Sequence, residues 1–144
     1  MIKIYGIDHC SSTQKIAKLM KEHGFELTDI KDIHQETPSV KELRIAFHSM
    51  GEQPRKLLNT SGQLYRSIGL KDKVDQMTVD ELFDLLHQEG MLIKRPFLTD
   101  GKRASTGTSL KDLSRIWEFD QKNNRLAKDS QPVFFIYELF SWEQ

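Results

Sequence analysis

The 144-residue sequence predicts an α/β fold: a mixed sheet with helices packed against it, and a helical insertion between a β-α-β half and a β-β-α half. Three observations predict it. The first 33 residues read strand, helix, strand. Two capping boxes, Ser39 with Glu42 and Thr78 with Glu81, open helices in the middle of the chain. Asp100-Gly101 then separates two short β-like runs ahead of a last amphipathic helix.

Each element has a local cause. IKIYG, residues 2–6, alternates apolar and polar and stops at glycine, as a short strand does. Ser11, Ser12 or Thr13 can serve as N-cap of a helix that carries Ile16, Ala17, Leu19 and Met20, with Gly24 at C′. FELTDIKDI, residues 25–33, alternates as a second strand, and a parallel pair with a right-handed crossover is the default geometry. Pro38, Ser39 and Glu42 open a helix with an apolar stripe of Leu43, Ala46, Phe47 and Met50, closed by Gly51. Residues 55–70 read as short helical turns broken at Ser61-Gly62. Thr78 and Glu81 open the next helix, which buries Leu82, Phe83, Leu85 and Leu86 and ends at Gly90. Phe97–Thr99 and Lys102–Ser105 flank Asp100-Gly101 as a hairpin. Ser109 begins a helix with Leu110, Leu113, Ile116 and Trp117 on one side.

This order of elements is thioredoxin-like, with a helical insert at about residues 37–91. Residues 1–120 are expected to form one domain, because neither half alone can bury its sheet. Residues 121–144 form a C-terminal extension, polar over QKNNRLAKDSQ and then apolar and aromatic over PVFFIYELFSWEQ. The extension is expected to pack on the core or on a second copy of the chain, in a monomer or a dimer.

Composition narrows the function. Charged residues are 29% of the chain and hydrophobic ones 38%, as in a globular domain. Lysine plus arginine equals aspartate plus glutamate, 21 against 21, so no global basic field holds nucleic acid and no direct nucleic-acid partner is expected. One cysteine makes no internal disulfide and fits the reducing cytoplasm. MIKIYGIDH lacks the apolar run of a signal peptide, and no stretch is long enough to span a bilayer, so no membrane partner is expected. His9, His23, His34, His48 and His87 form no close ligand pair, so no metal site is expected.

The single cysteine, in IDHCSSTQK, is the candidate nucleophile. Cys10 stands between the first strand and the first helix, with polar residues on both sides. A helix N-terminus offers free N–H groups and the positive end of the dipole, which favour a thiolate. A thiol of pKa about 8.5 is only about 3% ionised at pH 7, so such stabilisation matters. Thr13 can hydrogen-bond back to the sulfur or cap the helix, and the same amides can hold an oxyanion. His9 is adjacent but points elsewhere if neighbouring side chains diverge. Lys94-Arg95-Pro96 is the second constellation. A proline just before a strand can be cis. The fold order brings Arg95 near Cys10, where its planar fork suits an oxyanion.

The cysteine motif, LLNTSGQLYRSIGLKDK and GMLIKRPFL together resemble the arsenate reductase (ArsC)/Spx/YffB-like family over about residues 1–117. The resemblance implies a thioredoxin-like fold with a helical insert, and thiol chemistry. Cys10 matches the cysteine that attacks arsenate. Arg95 matches the arginine that precedes a cis-proline, here Pro96. Glutathione or another low-molecular-weight thiol is the implied co-substrate, with no bound cofactor, and glutaredoxin is an implied partner. The implied oxyanion-binding set is Ser11, Ser12, Thr13, Asn59, Arg95 and Arg103. Asn59 stands where the glutathione-dependent arsenate reductases carry an arginine after the paired leucines. Arg103 matches loosely a third arginine beyond the hairpin. The substrate expected is a small oxyanion or a thiol. Spx-type members are regulators that bind the C-terminal domain of the RNA polymerase α subunit. Thr13 replaces the second cysteine of their Cys-x-x-Cys switch, and the surface near Gly51 would be the contact region.

Overall fold

A computed structural model describes residues 1–120. The expectation for the extension at 121–144 lies outside the described residues. Four strands, β1 (Lys3–Gly6), β2 (Lys31–Asp32), β3 (Phe97–Thr99) and β4 (Ala104–Thr106), form one sheet in the order β2-β1-β3-β4. β1 runs parallel to β2 and antiparallel to β3, and β3 is antiparallel to β4. The helices are α1 (Ser11–Glu22), α2 (Val40–Ser49), α3 (Gln63–Ser67), α4 (Leu70–Lys73), α5 (Val79–Gln88) and α6 (Leu110–Trp117). Short 3₁₀ turns lie at Pro54–Leu57, Val74–Gln76 and Gly90–Leu92. The arrangement is the thioredoxin-like one, with α2 to α5 as the insert.

β1 is covered on both faces, since Ile4 and Tyr5 point to opposite sides of the sheet and both are buried. Tyr5 meets Phe97 edge-on at 5.7 Å between ring centroids. Its hydroxyl donates to Glu42 at 3.0 Å. Glu42 thereby ties β1 to α2, since it also closes the capping box with Ser39 and pairs with Lys3. Burial pushes the Glu42 carboxyl up, but the Lys3 ammonium, the Ser39 amide and the Tyr5 hydroxyl outweigh it and hold the pKa below the usual value. A depressed carboxylate stabilises the fold above its unfolded pKa, and that contribution is lost as pH falls through the folded value. Glu42→Gln should therefore lower stability at neutral pH by about 1 kcal/mol. The difference from the parent should shrink below about pH 4, in urea unfolding run at both pH values.

The second strand is shorter than the alternation over 25–33 predicts. Leu27 makes an isolated parallel bridge with Ile2, and regular pairing resumes only at Lys31. Between them the Thr28 hydroxyl accepts from the Ile4 amide at 3.3 Å and donates to the Asp29 carbonyl at 3.0 Å. A side chain has taken a ladder position that a backbone carbonyl would fill.

Both predicted capping boxes form, at Ser39 with Glu42 and at Thr78 with Glu81. Thr78→Ala should cost about 1 kcal/mol, measured by chemical denaturation. α5 ends ahead of Gly90 as expected: Glu89 is the C-cap, and Gly90 follows it and begins the next 3₁₀ turn. Gly90 is also required by contact. A Cβ built on it would stand 2.0 Å from the Ile33 carbonyl oxygen.

The hairpin is offset from the prediction. Its fourth strand is Ala104–Thr106, not 102–105. The Asp100 carboxylate accepts from the Lys102 and Arg103 amides, both at 2.9 Å, which folds residues 100–103 into a four-residue turn. β4 is a sheet edge, and the insert closes it. The outward Ala104 amide donates to Ser49 Oγ at 3.2 Å, and the Thr106 hydroxyl donates to the Lys56 carbonyl at 2.6 Å. α6 begins at Ser109 as predicted, and buries Leu113, Ile116 and Trp117. Trp117 Nε1 donates to Ser105 Oγ at 2.9 Å, which satisfies the polar atom of a large buried ring.

Candidate functional site

The turn from β1 into α1 is set by contact between Gly6 and Thr13. Thr13 is fully buried against Gly6, where a Cβ would stand 2.6 Å from the threonine hydroxyl oxygen. That hydroxyl accepts from the Ile7 amide at 3.3 Å. The Cys10 amide donates to the Ile7 carbonyl at 2.9 Å, and the Cys10 carbonyl accepts the first helical bond, from Gln14, at 3.0 Å.

Cys10 itself is therefore the N-cap, a position expected for Ser11, Ser12 or Thr13. The expectation failed because cysteine is a poor capping residue by propensity. The neutral thiol makes no side-chain cap hydrogen bond. The N2 and N3 amides of the helix, from Ser12 and Thr13, nevertheless favour its anion. The Thr13 amide is the largest influence, burial opposes it, and the Thr13 hydroxyl, the Ser12 amide and the Arg95 guanidinium add to it. Together they hold the thiol below its ordinary pKa. The alkylation midpoint of Cys10 should accordingly lie below the usual ~8.5. Arg95→Met should raise it only slightly, because the helix amides outrank the arginine. Iodoacetamide labelling against pH checks both.

The Arg95–Pro96 peptide bond is cis. Two crossing segments bring Arg95 and Asn59 to one place. Leu58 bridges Ile93, the Asn59 amide donates to the Leu92 carbonyl at 2.8 Å, and the Lys94 amide donates to the Leu57 carbonyl at 2.9 Å. Gly107 lies over Lys94, where a Cβ would stand 2.7 Å from the lysine Cδ. Its amide donates to the Pro96 carbonyl at 3.1 Å.

A cavity of ≈ 660 Å³ opens between these segments and the N-termini of α1 and α6. Of the expected set, Cys10, Ser12, Asn59 and Arg95 line it. Thr13 is buried and acts on the thiol through its amide and hydroxyl. Ser11 is exposed and does not line the cavity. Asn59 uses its side chain on the surrounding loop, donating to the Met91 carbonyl at 3.4 Å and accepting from Ser61 at 3.4 Å. Arg103, the loose match to an oxyanion-binding arginine, does not line the cavity. Its guanidinium pairs with Asp100 at 3.1 Å, donates to the Ile116 carbonyl at 3.1 Å and lies 4.8 Å from the Trp117 ring centroid. The hairpin turns its base to the cavity and its tip away from it. His9 is not among the residues that line the cavity.

Sequence reasoning missed Lys56 and Asp112, which also line the cavity, and did not assign Lys94 to it. Lys56 pairs with Asp112 at 3.1 Å. Both lysines adjoin the quoted motifs, in RKLLNT and in IKRP, and that proximity was the available signal. Asp112 carried none beyond its place three residues after a helix cap. Among the described residues no group of three or more His, Cys, Asp or Glu is arranged to hold a metal, and no helix is long and apolar enough to cross a membrane.

Comparison with known proteins agrees with this fold. A family model described as the ArsC family matches residues 5–116. The uncharacterized protein YusI of Bacillus subtilis is 36% identical over 116 residues, covering 81% of this chain and 98% of that protein. The regulatory protein MgsR of Bacillus subtilis is 27% identical over 115 residues, covering 80% of this chain and 89% of that protein. Among solved structures, a possible arsenate reductase from Streptococcus mutans superposes with a TM-score of 0.68 at 34% identity, covering 79% of this chain and 98% of that one.

Proposed function

The chain belongs to the ArsC family, and from that premise we propose that it is a monothiol oxidoreductase whose nucleophile is Cys10. The observation that carries the reading is the thiol at the N-cap of α1, favoured as thiolate by the Thr13 and Ser12 amides, in one cavity with Arg95. The substrate is a small oxyanion such as arsenate, or a mixed disulfide. Arg95, Ser12 and the α1 amides hold the anion beside the sulfur.

With a disulfide, the Cys10 thiolate attacks one sulfur, a new S–S bond forms, and the other sulfur leaves as thiolate. With arsenate, Cys10 displaces one oxygen as water, and an external thiol then attacks. Two electrons pass from the two sulfurs to arsenic, which leaves as arsenite, and Cys10 is left in a mixed disulfide with the external thiol. A second thiol returns Cys10 to thiolate. The chain has no other cysteine to resolve this state, so glutathione or another low-molecular-weight thiol, with glutaredoxin, completes the cycle. The test is turnover of arsenate and of a glutathione mixed disulfide with glutathione and glutaredoxin present. Turnover of either supports the reading, and turnover of neither overturns it.

A second reading draws on the match to a regulatory protein over 80% of the chain. It is an Spx-like regulator that binds the C-terminal domain of the RNA polymerase α subunit through the surface near Gly51 and needs no reactive thiol. A pull-down with the purified α domain separates the two: retention that survives Cys10→Ser supports the regulator, and no retention removes it.

A further inference from the structure

One wall of the cavity holds an ion pair that the reaction above does not use. Lys56 Nζ lies 3.1 and 3.4 Å from the two carboxylate oxygens of Asp112, and both residues line the cavity with Cys10 and Arg95. The Asp112 side chain is only 10% exposed, whereas that of Lys56 is 37% exposed. A buried carboxylate beside an anion site opposes the ligand, since like charges repel at short range. Asp112 also has a second partner that does not line the cavity. Arg115 lies 3.2 Å from its Oδ1, and is itself fixed by donating to the Ser49 carbonyl at 3.0 Å. Lys56 can therefore leave Asp112 without stranding a buried charge, which would otherwise forbid the exchange. The Lys56 main chain stays fixed meanwhile, because its carbonyl accepts from the Thr106 hydroxyl. Lys94 and Arg95 make no ion pair with a carboxylate among the described residues, so they form the standing cationic part of the cavity.

We propose that Lys56 is a third, releasable cation of the anion site, and that Asp112 is the built-in counter-ion from which an incoming tetrahedral oxyanion must take it. This rests on the oxyanion reading of the cavity. Asp112 is thus a specificity-determining residue that weakens anion binding, and Lys56 is the residue through which it acts.

The test is protection of Cys10 from iodoacetamide by phosphate and by sulfate, in the full chain, above the alkylation midpoint of each variant. Asp112→Asn should lower the half-protecting concentration by about fivefold or more, and Lys56→Met should raise it by a similar factor. In the double variant the effect of Asp112→Asn should be clearly smaller than in the parent, only the direct repulsion by the carboxylate remaining. A merely structural aspartate would show lost melting temperature and no such coupling. Half-protecting concentrations within twofold of the parent in both single variants overturn the proposal. So does an Asp112→Asn effect that persists undiminished without Lys56. If Asp112→Asn does not fold, Lys56→Met, at a half-buried side chain, carries the test, and an unchanged half-protecting concentration there overturns it. Protection of Asp112→Asn alone, with the parent unprotected, supports a masked cation. Thiol turnover of the parent is measured separately. Its absence, with the variant ratios as expected, removes the oxidoreductase reading and leaves the anion site standing.

Discussion

Cys10→Ser is expected to abolish thiol-dependent turnover, by about three orders of magnitude or more, while leaving the fold intact or slightly more stable. The first effect follows from chemistry: a serine hydroxyl at neutral pH supplies neither the nucleophile nor the redox-active sulfur. The second follows from position. Cys10 occupies the N-cap of α1 and makes no cap hydrogen bond there. Serine is among the preferred N-cap residues and would accept from the Thr13 or Ser12 amide, for a gain of up to about 1 kcal/mol. Loss of activity together with a raised melting temperature would mark a position where function has been retained at a cost in stability. Retained turnover would exclude Cys10 as the nucleophile. A clear loss of stability would mean that the sulfur packs as a core residue.

Gly90→Ala carries the largest expected loss of stability. Its Cβ would stand 2.0 Å from the Ile33 carbonyl oxygen, 3.0 Å from the Ile33 carbonyl carbon and 3.0 Å from Thr37 Cγ2. The obstacle is main chain, and Ile33 is wholly buried, so rotamer change gives no relief. The end of α5 must move away from the segment after β2, at about 3 kcal/mol or more. A fall in melting temperature of about 10 °C follows for a domain of this size. Gly24→Ala is the control. Nothing lies within 4 Å of its Cβ, and its cost comes only from the positive φ of 89°, about 1 kcal/mol. Similar losses in the two variants would show that the approach of Gly90 to Ile33 is not close in solution.

The elements that were legible from the residues are those with a strong local cause. Ser39 with Glu42, Thr78 with Glu81, and Ser109 each fixed a helix start to the residue. The errors arose where a tertiary contact overrode a local signal. Thr28 reads as a strand residue, yet its hydroxyl takes the ladder bond and interrupts the strand. Gly90 does follow the end of α5, but the close approach to Ile33 that requires glycine there was not legible. At the site, the grouping of Cys10 with Arg95 was legible because strand–helix junctions are local and Arg95-Pro96 immediately precedes β3. Lys56 and Asp112 were not, because they are 56 residues apart and only folding pairs them. Arg103 is the opposite case. Its nearness to the hairpin was legible, but nothing in the sequence says that it turns to Trp117.

The β4 edge has a consequence for how molecules of this protein meet one another. With the outward amide of Ala104 held by Ser49 and the hydroxyl of Thr106 held by Lys56, that side of the sheet has little left to template another chain. At the opposite edge β2 is two residues long, too short to recruit a partner strand firmly. Neither margin favours growth of one sheet into the next. Through the described residues 1–120, copies should therefore meet by side-chain surfaces rather than by shared backbone ladders.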